Sequence, residues 1–328
     1  MTGGQVSALW LTVVMPIYNG ARTLSRTLDS LLGQQDGVEV VAVNQGSADG
    51  SRAILEGYRD RLNIVIIDAP QNVNWMQNTN MAMAAARAPL CTMLHQDDVW
   101  MPGRAKNLRQ LAERYPDAGL WVHNAWFIDG ADRHIGRFGP PFGPVERLVA
   151  SDDALSKLLV QETMALPAVM FRRETALKGG GLDETLWYTA DWDLWLRLSR
   201  EGPVAWSPAY LAGFRLHGSS LTLKGSRNLV DFQNQLVTVL NRHIGALSDV
   251  DAARIRPFAE AAVSLNVSLA ATYHRERGNW TKTLLRIINL GPTGMMALFR
   301  DTQILQRVIS RIRARLLTNL FVSGGLPR

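Results

Sequence analysis

A short apolar run that ends in two adjacent carboxylates is the feature that most constrains this chain. Residues 90–95 are mostly apolar, Asp97 and Asp98 follow, and an amphipathic helical pattern begins after Pro102 and Gly103. An apolar run of this length ahead of a helical pattern indicates a buried parallel strand. Because ligands of open α/β sheets bind beyond the carboxyl ends of the strands, both carboxylates lie where a ligand is expected.

Two interpretations of this carboxylate pair stay open from position alone. Adjacent carboxylates repel each other, and a hard divalent cation or a shared proton relieves that repulsion. Alternatively, the two residues are a surface pair that begins the next helix near its positive dipole end. The sequence therefore predicts either a ligand site or a simple helix start at Asp97 and Asp98.

The first part of the chain alternates between predicted strands and helices. Strands are predicted over 11–17, 38–43 and 63–68, with helices over 21–32 and from Ser51 onward. This alternation is typical of the doubly wound half of a nucleotide-binding α/β domain. The polar turns after the first two strands lie on the ligand edge of the sheet, so we interpret them as binding turns; plain turn chemistry is the alternative.

Further along the chain, two polar residues follow or begin predicted elements. His217 follows a strand predicted over 211–216; histidine is a common divalent-metal ligand, and a hydrogen-bonded loop histidine is the alternative. Asp191 begins a helix predicted over 190–199, where an aspartate commonly caps free backbone N–H groups. Asp193 points to a different face of that helix.

Loops and helices are predicted in the remaining segments. We expect a polar loop over 70–80, a functional loop over 136–144 that is rich in proline and glycine, and a linker at Gly291 and Pro292. From about residue 225 onward the pattern is helical throughout.

Four stretches, in order, resemble the motifs of family 2 glycosyltransferases, which have the GT-A fold and use nucleotide-sugar donors. They are residues 13–20, 43–50, 94–98 and 190–197. The resemblance implies a Rossmann-like mixed α/β sheet with flanking helices. We therefore predict a GT-A catalytic domain over residues 1–225, followed by a C-terminal helical region over residues 226–328.

The resemblance also implies a role for each polar segment. Asp97 and Asp98, joined by His217, would hold a divalent metal, Mn²⁺ or Mg²⁺, and Asp191 matches the position of the general base. Asp193 is then structural or a secondary acceptor contact. The residues implied in binding the nucleotide-sugar are Pro16, Tyr18, Asn19, Asn44, Gln45, Ser47, Asn80, Gln96 and Asp97.

Two departures from the family pattern affect the donor site. Relatives usually end the second strand in Asp-Asp-Gly-Ser, whereas this chain has Asn44 and Gln45. An amide offers both a donor and an acceptor, so it can still pair with a uracil or thymine edge. Trp75 stands where a glycine is common, which predicts a differently shaped loop.

We predict an inverting, metal-dependent glycosyltransferase in which Asp191 takes the proton of an acceptor hydroxyl. The acceptor would be a saccharide or a lipid-linked saccharide, as in polysaccharide and cell-envelope synthesis. One alternative is an inactive nucleotide-sugar binding protein, because Asn44, Gln45 and His95 replace common acids. A nucleotidyltransferase is the other, although residues 18–22 poorly match its glycine-rich basic loop.

Composition bears on location and partners. The chain has 328 residues, 47% of them hydrophobic and 20% charged, which is ordinary for a globular protein. Its single cysteine, Cys91, excludes an intramolecular disulfide and fits a reducing cytosol. No stretch reaches the length of a transmembrane helix and no nucleic-acid module is visible, so we expect a cytoplasmic protein without a nucleic-acid partner.

The C-terminal pattern predicts an amphipathic helix. Such a helix either lies on an anionic membrane, at its inner face, or docks its apolar stripe on the preceding helices and leaves its arginines in solvent. The apolar stripe is Ile304, Val308, Ile312, Leu316 and Leu320 with Leu305 and Ile309, and the adjoining arginines are Arg307, Arg311 and Arg315.

Overall fold

Ten strands form one mixed sheet in the part of the chain that the computed structural model describes, residues 8–69, 74–217 and 225–322. The strand order is β3-β2-β1-β4-β9-β6-β10-β5, with β7 paired to β6 and β8 paired to β10. The strands are β1 (Leu11–Ile17), β2 (Val38–Asn44), β3 (Ile64–Asp68), β4 (Leu90–Met93), β5 (Val99–Trp100), β6 (Leu120–Ile128), β7 (His134–Phe138), β8 (Arg147–Val149), β9 (Val169–Arg172) and β10 (Val204–Arg215).

Helices flank this sheet and continue beyond it. The structure describes the side chains of the last helix as far as Ala314. The helices are α1 (Ala21–Asp29), α2 (Ser51–Glu56), α3 (Trp75–Ala85), α4 (Arg104–Arg114), α5 (Ser151–Val160), α6 (Arg173–Lys178), α7 (Ala190–Leu198), α8 (Leu229–Ile244), α9 (Asp249–Tyr273), α10 (Trp280–Ile288), α11 (Gly291–Thr302) and α12 (Ile304–Val322).

The strands β3, β2, β1 and β4 run parallel, as the alternation of strands and helices predicts. The side chains of β1 alternate between two hydrophobic clusters. Val13 and Met15 pack in the cluster that contains Leu24 of α1, whereas Val14 packs in the cluster that contains Met83 of α3. Helices therefore cover both faces of this half of the sheet, which explains why β1 is apolar on both sides.

Strand β10 is longer than predicted and contains a proline within its length. The sequence predicts a strand over 211–216, but β10 begins at Val204 and changes register around Pro208. Proline cannot donate to a strand ladder, and such residues lie at bulges. The short strand β5 pairs with β10 so that Val99 lies opposite Gly213. A Cβ on Gly213 would lie 2.8 Å from Cγ2 of Val99, so glycine permits this close pairing.

Two of the predicted loops are wrong in part. Helix α3 begins at Trp75, because the Asn74 side chain accepts from the backbone N–H of Gln77 and the two residues form a capping box. The first residues of that predicted loop, 70–73, lie outside the described residues. In the segment 136–144, β7 extends to Phe138 and pairs antiparallel with β6.

The predicted linker at Gly291 and Pro292 is also wrong, because helix α11 begins there. Pro292 occupies the first helical turn, where its missing N–H would have no partner in any case. Helix α5, which the sequence pattern did not reveal, packs with α7, α8 and α9.

The helices after residue 225 share a hydrophobic cluster with the helices that flank the sheet. Trp192 and Leu196 of α7 belong to the same cluster as Phe232 and Leu236 of α8 and Ala259 of α9. The division into units at residue 225 stays a prediction. These contacts nevertheless mean that α8 and α9 form one wall of the region around α7.

Candidate active site

A cavity of about 750 Å³ opens at the carboxyl edge of the sheet. Its walls come from the ends of β1, β4 and β10, from the start of α7 and from α8, α9 and α12. Of the residues that the sequence predicts for the site, nine line this cavity: Pro16, Tyr18, Asn19, Gln45, Gln96, Asp97, Asp98, Asp191 and His217.

The turn after β1 is fixed by side chains from the turn after β2. The backbone N–H of Asn19 donates to Oγ of Ser47 over 3.0 Å, and Oδ1 of Asn19 accepts from the backbone N–H of Ala48 over 2.9 Å. Asp49 accepts from the backbone N–H groups of Ala21 and Ser51, so it caps the starts of both α1 and α2. The two polar turns therefore form one rigid rim of the cavity. Ser47 holds this rim together and does not itself line the cavity.

Gln96 attaches this rim to the end of β4. Its side-chain amide exchanges two hydrogen bonds with the backbone of Tyr18, at 2.8 and 2.9 Å. The close contact of Gln96 with this turn requires a glycine at position 20, because a Cβ on Gly20 would lie 2.5 Å from Oε1 of Gln96. The predicted donor residues at the ends of β1 and β4 are thus joined directly.

Of the two amides at the end of β2, only the second lines the cavity. Asn44 is buried, and its Nδ2 donates to Asp68 over 3.0 Å. Gln45 faces the cavity, where its Oε1 accepts from Nδ2 of Asn78 over 3.0 Å. Asn78 thus pairs with Gln45 on the same wall.

Asn80 does not line the cavity and instead supports the segment before α7. Its side chain donates to the carbonyl and accepts from the N–H of Leu182, both within 2.9 Å. Gly181 precedes that contact with φ of +69°, and a Cβ there would lie 2.4 Å from Oδ1 of Asn80. Asn80 therefore fixes the path of the chain into α7.

The two carboxylates after β4 have different surroundings. Oδ2 of Asp97 lies 2.7 Å from Nε2 of His217, and Oδ1 of Asp98 accepts from the backbone N–H of Arg215 over 2.9 Å. Burial raises the pKa of Asp97, but the hydrogen bond with His217 and the neighbouring histidines outweigh it and lower that pKa. Burial and the charge of Asp97 together raise the pKa of Asp98 well above its usual range.

Arg215, the last residue of β10, fixes this pair to the sheet. Its guanidinium is buried and donates to the carbonyls of Asp97 and Asp129, each over 2.6 Å, and it pairs with Asp132 over 2.5 Å. The antiparallel pairing of β5 with β10 brings Arg215 to this position. Strand β5 is therefore the element that holds the carboxylates at the cavity.

The chemistry of this donor set fits a divalent metal in part. Oδ2 of Asp98 is buried without a hydrogen-bond partner among the described residues, which leaves a carboxylate oxygen available beside the Asp97–His217 pair. No group of three metal-ligating side chains assembles in the described ranges. Mg²⁺ in particular is commonly held by one or two protein carboxylates together with substrate phosphates, so a full protein cage is not required.

Asp191 also lines the cavity, from the first turn of α7. Its Oδ1 accepts from the backbone N–H of Trp192 over 2.9 Å. Burial raises the pKa of Asp191 to about 6. A carboxylate with a pKa near neutrality is ionised at pH 7 and still basic enough to accept a proton, which suits a general base.

Glu162 is a further carboxyl group that lines the cavity, and no sequence motif identified it. Its Oε1 accepts from the backbone N–H of Met164 over 2.8 Å. Burial and the charge of Asp191 raise the pKa of Glu162 well above its usual range. The two carboxyl groups therefore interact electrostatically, and each has a pKa above that of an exposed acid.

Asp193 is a structural residue. It is buried and accepts from Nε of Arg197 over 2.9 Å, from Nη1 of Arg242 over 2.9 Å and from Nε2 of His243 over 2.8 Å. Arg242 and His243 belong to α8, so this carboxylate joins α7 to the helices after residue 225. It does not line the cavity.

The C-terminal helix α12 is rotated about its axis relative to the orientation that the sequence predicts. Arg307 is 8% exposed, and Arg307 and Arg311 line the cavity instead of facing solvent. Leu305, Ile309 and Ile312 are exposed by 64%, 44% and 53%. Ile304 is buried as predicted, whereas the side chains of Arg315, Leu316 and Leu320 lie outside the described part of the chain.

Contacts with the sheet account for this orientation. Gln303 donates to the carbonyl of Gly139, and Arg313 donates to the carbonyl of Ile135 over 3.1 Å. Both carbonyls belong to the segment of β7 and the residue after it, so α12 packs across β7. The four-residue periodicity predicts an apolar stripe and an arginine stripe on α12. It does not predict which of the two stripes the contacts with β7 place against the protein.

Comparisons with known proteins agree with this geometry. Residues 12–140 match the model of the family described as Glycosyl transferase family 2. An uncharacterized glycosyltransferase of Nostoc sp. is 25% identical over 296 residues, which cover 82% of this chain and 84% of the relative. The succinoglycan biosynthesis protein ExoU of Rhizobium meliloti is 29% identical over 235 residues, which cover 67% of this chain and 66% of the relative.

Solved structures show the same fold. S. aureus TarS 1-349 in complex with UDP has a TM-score of 0.60 at 16% identity, and the match covers 98% of this chain and 93% of that one. The mannosyltransferase PcManGT from Pyrobaculum calidifontis, in complex with GDP-Man and Mn²⁺, has a TM-score of 0.59 at 15% identity, covering 95% and 87%.

The mixed sheet and the cavity at its carboxyl edge define a glycosyltransferase of the GT-A fold. Within that class, residues 12–140 match glycosyltransferase family 2, and this match contains three of the four predicted motifs. The predictions of family, fold class and enzyme class are therefore confirmed.

Proposed function

We propose that this glycosyltransferase is inverting and moves a sugar from a nucleotide-diphosphate donor to the hydroxyl of a saccharide or lipid-linked saccharide. The observation that carries the proposal is that one cavity contains two aspartates whose pKa values are shifted in opposite directions. Asp97, whose pKa is lowered, lies at one wall with His217, and Asp191, with a pKa of about 6, lies at another.

The donor nucleotide binds along the rigid rim formed by the turns after β1 and β2. Gln45 and Asn78 present neighbouring amides at the cavity wall, which suits the edge of a nucleobase. Tyr18 and Asn19 follow on the same rim, fixed by Gln96 and Ser47. Similar structures in complex with UDP and with GDP-Man support a nucleotide-sugar donor for this fold.

Asp97, Asp98 and His217 are the residues that would hold a divalent ion, and Mn²⁺ or Mg²⁺ suits their oxygen and nitrogen atoms. Such an ion, when bound, supplies positive charge against the donor diphosphate and stabilises the leaving nucleotide. Arg215 holds both carboxylates through their backbone and side chain, so their positions do not depend on the ion.

Asp191 accepts the proton of the acceptor hydroxyl as that oxygen attacks the anomeric carbon. The bond from the anomeric carbon to the diphosphate oxygen breaks, and the diphosphate leaves with the electron pair. In the proposed reaction the acceptor and the leaving group lie on opposite sides of the sugar, so the anomeric configuration is inverted.

A binding and turnover assay tests the proposal. A panel of nucleoside diphosphates and nucleotide sugars is measured by thermal shift with and without Mn²⁺; a ligand at about a hundred times its Kd stabilises the native state by roughly 2.7 kcal/mol. Donor hydrolysis and transfer are then measured with the ligands that bind. Metal-dependent binding with slow hydrolysis supports the proposal.

Two other outcomes would favour the alternative functions. Tight donor binding with neither hydrolysis nor transfer, across acceptors, would indicate an inactive nucleotide-sugar binding protein. Formation of a nucleotide-sugar with release of diphosphate would indicate a nucleotidyltransferase instead.

We also propose that the enzyme works in the cytoplasm, peripherally attached to the inner face of an anionic membrane. No helix in the described ranges is long and apolar enough to cross a membrane. The three helices α10, α11 and α12 expose large apolar side chains, which suits partial insertion into the lipid interface. These side chains are Leu284, Leu285, Ile288, Met296, Phe299, Leu305, Ile309 and Ile312.

Sedimentation with vesicles tests this attachment. Vesicles that contain phosphatidylglycerol should carry down the wild type but much less of Ile309→Asp, which places a charge on the exposed apolar side of α12. Val250→Asp is the matched control, because Val250 is 78% exposed on α9, away from these helices. Equal sedimentation of all three proteins would exclude α12 as the membrane contact.

A further inference from the structure

The two arginines of α12 lie at the junction of two cavities. Beside the large cavity is a second one of about 240 Å³, and the two share Tyr188, Phe232, Asn266, Arg307 and Arg311. This smaller cavity is lined largely by apolar side chains, among them Leu269, Ala270, Val308 and Ile312. A molecule that occupies both cavities must pass the arginine pair.

Arg307 has unused hydrogen-bonding capacity at this junction. It is 8% exposed, and its Nη2 donates to Oδ1 of Asn266 over 3.2 Å. Its Nη1 is buried and has no hydrogen-bond partner among the described residues. Leaving a buried guanidinium donor unpaired is costly, so an acceptor from outside the chain is expected there.

The described part of the chain does not fully offset the charge of Arg307, because its surroundings lower the pKa of the guanidinium overall. Burial and the neighbouring Arg311 lower the pKa of Arg307 to about 10, so Arg307 is charged at pH 7. Tyr188 and Glu162 act in the opposite direction and raise the pKa of Arg307, but they do not outweigh burial and Arg311. Two neighbouring guanidinium groups on one helix favour binding of an anion, most strongly one with several oxygens.

The arginine pair belongs to the acceptor side of the large cavity. Nη2 of Arg307 donates to Oδ1 of Asn266, whose Nδ2 donates to Oε1 of Gln161 over 2.6 Å. Gln161 follows α5, which packs against α7, the helix that Asp191 begins. Asp97 instead pairs with His217, at the ends of β4 and β10. The anion that the arginines bind is therefore carried by the acceptor rather than by the donor nucleotide.

We infer that Arg307 and Arg311 bind an anionic phosphate group of an amphiphilic acceptor, whose hydrocarbon part enters the apolar cavity beside them. This inference rests on the proposed glycosyl transfer and names its acceptor class. The phosphate lies between the arginines, the sugar hydroxyl reaches Asp191 in the large cavity, and the hydrocarbon passes Val308 and Ile312. Ile312 is both on the wall of the apolar cavity and 53% exposed, so the hydrocarbon has a route to the surface.

Octyl phosphate, kept below its critical micelle concentration, is the probe that tests this inference. Calorimetric titration should show saturable binding to the wild type and affinity reduced roughly tenfold or more in Arg311→Gln, which removes a charge-assisted contact. Arg307→Gln should weaken binding further, but it also removes a buried side chain. Arg311→Gln, at a partly exposed position, therefore separates binding from folding. Arg300→Gln is the matched control, because Arg300 is exposed and pairs with Asp301 outside both cavities.

Three comparisons complete the experiment. Octyl glucoside, with a neutral head, and inorganic phosphate, without a tail, should each bind more weakly than octyl phosphate; equal binding of either would overturn the inference. Unchanged affinity in Arg311→Gln would overturn it as well. Octyl phosphate should also bind together with a nucleoside diphosphate and Mn²⁺, and competition between them would place the probe in the donor site and overturn the inference.

Nucleotide binding in the same variants separates this inference from the proposed function. If the wild type and all variants bind octyl phosphate as expected but bind no nucleoside diphosphate, the proposed function fails and the anion site remains. If nucleotide binding is intact and octyl phosphate binding does not depend on Arg311, the inference fails and the proposed function remains.

Discussion

Asp191 and Asp193 are two residues apart in helix α7, yet burial raises the pKa of Asp191 to about 6 while the pKa of Asp193 is lowered to about 2. Burial alone would raise the pKa of Asp193 too, but hydrogen bonds from His243 and Arg197 outweigh it. Asp191 accepts a hydrogen bond from the backbone N–H of Trp192 and lines the cavity. One carboxylate is thereby suited to proton transfer and the other to holding two helices together.

The rate of transfer should depend on the ionisation of Asp191. We expect the rate to fall about tenfold per pH unit below pH 6, because a protonated carboxyl cannot accept the proton of the acceptor. Asp191→Asn should bind the donor normally and lose roughly 100-fold or more in turnover. Asp152→Asn, in the first turn of α5, is the control. Near wild-type turnover in Asp191→Asn would remove Asp191 from the mechanism.

Replacing Asp191 should also stabilise the protein at neutral pH. The folded-state pKa of this acid is raised from 3.8 to about 6, so its ionisation destabilises the native state as the pH rises through 6. Asp191→Asn should therefore raise the free energy of unfolding at pH 7.5 by up to about 3 kcal/mol. The gain should disappear near pH 4. Denaturant titrations at both pH values measure it, and a gain that is equal at both would contradict the prediction.

Asp193→Asn should destabilise the fold. The substitution leaves Arg197 and Arg242 without their shared buried carboxylate, which costs about 3–5 kcal/mol. Because the folded-state pKa is lowered to about 2, the contribution of Asp193 is fully present above pH 3.8 and is lost as the pH falls toward 2. The wild type and the variant should therefore converge in acid.

A surface pair provides the comparison for Asp193. Asp153 is half exposed and pairs with Lys157 four residues on in α5. Asp153→Asn should change the free energy of unfolding by about 0.5 kcal/mol or less. A similar loss in both variants would mean that the burial of Asp193 has no energetic consequence.

Glu162→Gln should not shift the acid limb of the pH–rate profile, which should stay near pH 6. Burial and the charge of Asp191 raise the pKa of Glu162 well above its usual range, so we expect Glu162 to be the neutral member of the pair. A neutral amide therefore replaces a neutral acid. A large fall in turnover, or a shift of the acid limb by about one pH unit, would show that Glu162 is the group that titrates.

Asp97→Ala should remove the metal-dependent part of donor binding. Loss of a charge-assisted contact of roughly 1.5–3 kcal/mol corresponds to a reduction in affinity of about 10–100-fold. We expect this loss for a nucleoside diphosphate in the presence of Mn²⁺, and a much smaller one in its absence. Asp117→Ala, at an exposed position outside the cavity, is the control. Equal Mn²⁺ enhancement in Asp97→Ala and the wild type would exclude Asp97 as a ligand.

Sequence reasoning found the parts of the site that are local in the chain. Asp97 and Asp98 follow a buried strand, and Asp191 begins a helix, so each could be located from its own neighbourhood. The parallel strands were predicted for the same reason, because their apolar runs alternate with helical patterns.

The parts that sequence reasoning missed depend on contacts between distant segments. Glu162 becomes notable only because it lies near Asp191, and Arg307 enters the cavity only because α12 packs across β7. The side chains of Asn44 and Asn80 were expected to bind donor but face other protein groups. A motif indicates that a polar side chain is needed at a position and leaves its partner unspecified.

The path of α12 has a consequence for how such enzymes diversify. The rim that suits a nucleotide comes from residues before 100, and the arginines that suit an anion come from residues after 300. In the proposed function, separate stretches of the chain bind the donor and the acceptor, and the family match over 12–140 covers only the first. Sequence changes in the last helices can therefore alter acceptor specificity while donor specificity is retained. Among relatives, donor specificity should follow ancestry more closely than acceptor specificity does.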